Sequence, residues 1–211
     1  MRMITALLAF LMLAASAALP AQQMPAQSPE AFVETIVEDV LTDVEARRTE
    51  LKSQPEKLRA LVIDGILPHV DFPYVSQLVL GKYWRTADEA QRQRFMREFQ
   101  RLLLRTYADA LLAYDDQEIR YLPSRRDESR RDARVRTQVV PRGQDPIAVN
   151  YRLYRTDAGE WKVFDVVVEG VSLVTSYRDT FAREIEQDGL DSLIANLKNH
   201  EPPAALQDVA S

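Results

Sequence analysis

The chain reads as an α+β protein: a helical N-terminal half, a four-stranded antiparallel meander, and one or two closing helices. Three observations predict this. Apolar residues recur every three or four positions from residue 29 to about 114, the spacing of helices that bury one face. Between 117 and 168 the period falls to two, with turn residues separating the alternating runs. Beyond Gly170 the helical period returns.

The elements follow in order. Ser28-Pro29-Glu30 is a helix start, with Ser as N-cap, Pro at the first helical position and an acid in the first turn. The helix it opens carries Phe32, Val33, Ile36, Val37, Val40, Leu41 and Val44 on one face. A second helical run after Pro55 holds Leu58, Leu61, Val62 and Ile66, and Pro68 stops it. Asp71 is placed to cap a short helix from Phe72 to Leu80, with Gly81 as terminator. Thr86-Ala87-Asp88-Glu89 has the form of a capping box. The helix expected from it runs to Tyr114, and Phe95, Phe99, Leu102, Leu103, Tyr107, Ala110, Leu111 and Tyr114 form its buried stripe.

Gln117–Leu122, Arg134–Val140, Ile147–Tyr154 and Trp161–Val168 are the expected strands. Gly170 is expected to end the sheet, and the helices then cover one side of it. A helix from about Ser172 to Glu186 and a shorter one carrying Leu190, Leu193, Ile194 and Leu197 complete the domain.

The first residues describe an exported chain. One basic residue, Arg2, precedes an apolar run from Ile4 to Leu19, and Ala15-Ser16-Ala17 or Ala21 offers a cleavage site. The run is short for a bilayer span, and no Cys follows it to accept a lipid. The expected division is therefore a signal peptide over 1–21, a flexible lead-in over 22–27, one domain over 28–200 and a disordered tail over 201–211. The chain has 27 basic and 32 acidic residues, net −5, and cleavage removes Arg2 alone. That acidic balance argues against a nucleic-acid partner. With no cysteine, the domain depends on burial alone, which a single core of this length can supply.

Catalytic candidates are few. There are two histidines, His69 and His200, and no cysteine, so a transition-metal site is not expected. Ser172 lies in Gly170-Val171-Ser172-Leu173, which is not a nucleophile elbow, and it suits a helix cap. Asp165 is the one acid in a largely apolar strand whose only other charge is Lys162 near its start. It can be a tuned general base or a structural acid paired with a cation such as Arg178; the structural reading is favoured. The apolar inventory is rich, but periodicity does not distinguish a filled core from one that parts around a ligand.

Several stretches together resemble a known family. They are Asp71-Phe72, Leu80-Gly81-Lys82-Tyr83-Trp84-Arg85, Phe95 with Phe99, Leu102-Leu103, Thr106-Tyr107, and Val135 with Thr137. Tyr151-Arg152-Leu153, Trp161-Lys162-Val163-Phe164-Asp165-Val166, Glu169-Gly170-Val171-Ser172-Leu173-Val174, Tyr177-Arg178, Phe181 and Gly189-Leu190 continue the series. The set resembles the MlaC family of toluene-tolerance proteins, auxiliary components of a bacterial phospholipid transport system, over roughly residues 30 to 198.

The resemblance implies an NTF2-like fold with an apolar pocket between sheet and helices. It implies a non-catalytic, monomeric carrier in the periplasm of a Gram-negative bacterium, with phospholipid as cargo and no cofactor. The implied role is to keep outer-membrane lipid asymmetry. The implied partners are the MlaA–porin complex at the outer membrane and the MlaFEDB ABC transporter at the inner membrane. The expected lipid-binding residues are Val135, Val149, Tyr151, Leu153, Val163, Phe164 and Val166 from the sheet. Tyr74, Leu78, Leu103, Tyr107, Leu111, Val171, Val174 and Tyr177 are expected from the helices. Which face of the last strand meets the pocket is left open. The competing readings are an isomerase or hydrolase on the same fold with Asp165 as base, and a periplasmic chaperone for apolar peptides.

Overall fold

The computed structural model describes residues 27–114, 117–123 and 131–207; the expected signal peptide, most of the lead-in and the last four residues lie outside it. Helix α1, Pro29–Ser53, starts where the cap signal places it, with the Ala31 N–H donating to Ser28 Oγ at 3.0 Å. Helix α2, Pro55–Gly65, returns along it and packs Leu58 and Leu61 against Val40, Val44 and Leu51. The approach is close: a Cβ on Gly65 would lie 3.2 Å from Val40 Cγ2. Helix α3, Phe72–Leu80, is capped by Asp71, whose Oδ1 accepts from the Tyr74 N–H. Gly81 ends it at φ 53°, and a single turn, α4 (Lys82–Thr86), follows.

The longest expected helix differs at both ends. Helix α5 is Glu89–Tyr107, and Asp88 is its N-cap, with Gln91 closing the capping box from the N3 position. Thr86 is consumed by α4: its hydroxyl donates to the Tyr83 carbonyl, and Ala87 is extended at ψ 137°. At its C-terminal end the helix tightens into a 3-10 turn, Ala108–Leu111, well short of Tyr114.

The strands are β1 (Glu118–Leu122), β2 (Asp132–Val140), β3 (Ile147–Arg155), β4 (Trp161–Val168) and β5 (Val171–Ser172), antiparallel in sequence order. Four strands are expected and five are found. Glu169 and Gly170 both take positive φ, so the chain doubles back and pairs Val171 with Val168 before the next helix. Helices α6 (Leu173–Asp188) and α7 (Leu190–Asn196) follow.

One irregularity sets the chemistry of the sheet. In β3–β4 pairing Leu153 faces Val163, yet Arg152 faces Asp165, so Phe164 is an extra residue in β4. The bulge shifts the alternation and puts Val163 and Val166 on one face. Their cross-strand partners extend that face through Leu153, Tyr151 and Val135.

A small filled patch of Val135, Leu153 and Trp161 lies beneath the sheet, but most of the solid core is elsewhere. It lies among α3, α5, α6 and α7, where Phe95, Phe99, Tyr177 and Phe181 interlock with ring centroids 5.2 to 6.0 Å apart. The chain remains packed beyond residue 200. A 3-10 turn at Ala204–Leu206 sends Leu206 into this core with no exposed surface, so the expected disordered tail does not begin at 201.

Candidate functional site

Between α1 and the sheet the packing opens into a cavity of about 440 Å³. Helix α1 supplies Val33, Ile36, Val37, Val40 and Leu41 to one wall. The sheet supplies Ile119, Val139, Ile147, Tyr151, Val163 and Val166 to the other. Ile66, His69 and Val70 close one end, while Ala110, Leu111, Ala113, Tyr114, Gln117 and Pro141 frame the other. Ile147 is 39% exposed, so the cavity reaches the surface beside the β2–β3 connection.

Side-chain size explains why this space is open while the helical core is closed. The lining is mostly Val, Ile, Leu and Ala, and Tyr114 and Tyr151 are its two large rings. Short branched side chains on a helix and a sheet held apart leave a gap that large rings would fill. The helical core has those rings.

Burial disfavours charge on two polar groups of the lining, His69 and Tyr151. Burial, followed by the nearby Lys162 charge, lowers the pKa of His69 below the ordinary imidazole value. Burial pushes the Tyr151 phenol up to about 12. The wall therefore presents no charge near neutral pH from these two residues.

Four of the residues expected to bind lipid line the cavity: Leu111, Tyr151, Val163 and Val166. Val135 and Leu153 share the sheet face but sit in a filled region with Val33, Trp161 and Ala133. Val149 is on the same face, between Ile147 and Tyr151, and is not part of the lining. Leu78, Leu103, Tyr107, Val171, Val174 and Tyr177 belong to the helical core; the Tyr107 and Tyr177 hydroxyls meet at 3.2 Å. Phe164 is carried to the opposite sheet face by the bulge, where it packs against Tyr74 and Tyr154. The whole α1 wall is missing from the expected set. Its stripe was visible, but nothing in periodicity distinguishes a wall from a core.

Asp165 also lies away from the cavity. It is buried, with Oδ1 accepting from the Val174 N–H at 3.1 Å and Oδ2 from the Ser172 hydroxyl at 2.7 Å. Ser172 Oγ in turn accepts from the Thr175 N–H, so both side chains cap α6. The nearest cation is Arg152, at 3.4 Å, and not Arg178, which approaches Asp179. Among the described residues no group of three His, Cys, Asp or Glu is placed to hold a metal ion.

Comparison with known proteins agrees with this architecture. The chain is 32% identical to a phospholipid-binding protein from Ralstonia solanacearum solved in complex with a phospholipid. The two superpose with a TM-score of 0.77 over 82% of this chain and 96% of that one. It is 33% identical over 176 residues to the toluene tolerance protein ttg2D of Pseudomonas putida, covering 83% of this chain and 81% of that one. Identity is 27% over 173 residues to the intermembrane phospholipid transport system binding protein MlaC of Haemophilus influenzae, covering 81% of each chain. The family model described as MlaC protein matches residues 34–199, and the chain therefore belongs to the MlaC family.

Proposed function

We propose that this protein is a non-catalytic periplasmic carrier that shields the acyl chains of a phospholipid while moving it between the inner and outer membranes. The observation that carries the reading is the apolar cavity of about 440 Å³ between α1 and the sheet. Its size falls within the roughly 300 to 1,000 Å³ usual for pockets that enclose a ligand.

The physical need is large. At about 0.8 kcal/mol per methylene, exposing two acyl chains to water costs on the order of 20 kcal/mol. Spontaneous transfer is correspondingly slow, so a carrier must replace the bilayer with apolar walls of its own. Val, Ile and Leu side chains do this without demanding a particular headgroup, which stays at the mouth near Pro141 and Ile147. Release must come from a partner that binds the open or empty form better, because a ligand shifts a conformational equilibrium only by its differential affinity. The partners expected from the family are the MlaA–porin complex and the MlaFEDB transporter, and the role is to maintain outer-membrane asymmetry.

The test is gentle purification from its own envelope, lipid extraction and mass spectrometry. Phospholipid at close to one molecule per chain is expected. Protein that emerges stoichiometrically free of lipid, with the cavity intact, refutes the carrier.

A further inference from the structure

The second face of the sheet is as distinctive as the first. It carries Arg120, Arg134, Arg136, Arg152 and Lys162 against Glu118, Asp132 and Asp165 among the described strand residues. This excess is set in a chain whose net charge is −5. Arg134 stands directly opposite Arg152 across the β2–β3 ladder. Side chains so placed have Cβ atoms about 5 Å apart, and like charges there destabilise the sheet. Arg136 is two residues from Arg134 on the same face, and Arg120 is diagonal to it on β1.

The local acids relieve this only in part, through Asp165 beside Arg152. Glu118 is engaged by Arg120 through two hydrogen bonds. Asp165 is buried and already accepts from Ser172 and Val174, and it meets only Arg152. No acid among the described residues pairs with Arg134 or Arg136, and both are exposed. Beside Arg152, whose guanidinium lies 5.0 Å from the Phe164 ring centre, Tyr74 and Tyr154 add half-exposed aromatic surface. Arg and Tyr are the residue types that carry binding energy at protein interfaces.

We infer that this outer sheet face is the docking surface for an acidic protein partner. Carboxylates from such a partner would offset the part of the Arg134–Arg152 repulsion that Asp165 leaves. An anionic bilayer fits less well: Tyr74 is the one exposed large apolar side chain beside this face among the described residues, so little of it would insert among lipids. The face lies across the sheet from the cavity, so a partner can hold the strands while the α1 wall stays free to move. The surface itself stands on charge placement alone; the choice of partners in the test rests on the carrier reading.

The test uses the exported full chain, purified MlaA–porin and MlaFEDB complexes, and vesicles of phosphatidylethanolamine with phosphatidylglycerol. Arg134→Glu/Arg136→Glu is expected to weaken binding to at least one complex by tenfold or more at about 0.05 M salt, with a smaller difference at about 0.5 M. Arg134→Gln/Arg136→Gln, which removes charge without reversing it, is read by the same rule if the first pair fails to fold. Binding to both complexes at wild-type strength, a loss confined to vesicles, or a wild-type chain that binds neither complex overturns the inference. Co-purified phospholipid, measured in the same samples, is expected to be unchanged and reports separately on the carrier reading.

Discussion

Filling the cavity should separate lipid carriage from stability, and two valines on one sheet face provide the comparison. Val166 lines the cavity, whereas Val135, reached from it through the shared partner Tyr151, is 1% exposed in the filled region. Val→Phe adds four carbons at either position. At Val166 those carbons occupy space where about four lipid methylenes would otherwise sit. At ~0.8 kcal/mol each, lipid binding weakens by about 3 kcal/mol, or roughly 200-fold. The fold loses little, because the ring enters a void. At Val135 the ring has no void to enter, so overpacking should destabilise the fold by about 1 to 3 kcal/mol. Phospholipid per chain by mass spectrometry and the urea midpoint of each variant measure the two effects. If Val166→Phe retains its full phospholipid and loses as much stability as Val135→Phe, the assigned cavity is not where lipid sits.

Further outcomes follow from the same geometry. Asp165→Asn exchanges one acceptor for an amide beside the Val174 N–H and the Ser172 hydroxyl, and should lower stability by about 1 to 3 kcal/mol without emptying the cavity. An unchanged urea midpoint would contradict its capping role. Leu206→Ala removes a side chain with no exposed surface and should cost about 2 to 5 kcal/mol, whereas a loss below 0.5 kcal/mol on the same titration would mean the C-terminal turn is not part of the core. Ser28→Ala should cost about 1 kcal/mol through the lost cap on α1, seen as a lower melting temperature.

His69 also predicts a pH dependence. Its pKa is lower in the fold than in the unfolded chain, so the unfolded state binds the proton first. Stability is then greatest above the ordinary imidazole pKa and falls as pH drops through it toward the lower folded value. His69→Gln should flatten that part of a melting-temperature profile; an unaltered slope would show that another group is responsible.

The sequence by itself determined the fold class, the order of the main elements, the capping roles of Ser28, Asp71 and Ser172, and the membership in a lipid-binding family. Those features are local: a cap is a polar side chain two or three residues from an N–H, and periodicity records which face of an element is buried. It missed β5, the end of α5 and the burial of Leu206, because each depends on what the chain meets after it turns.

The site was the least legible part. Only the tertiary structure decided that α1 forms a wall of the cavity while α3 and α6 enter solid core, since both kinds of face have the same apolar spacing. One bulged residue, Phe164, decided which side of β4 looks inward, placing Val163 and Val166 in the cavity and Asp165 at the start of α6. A bulge has no strict sequence signature, yet it reverses the facing of every residue beyond it, and with it the meaning of the strand.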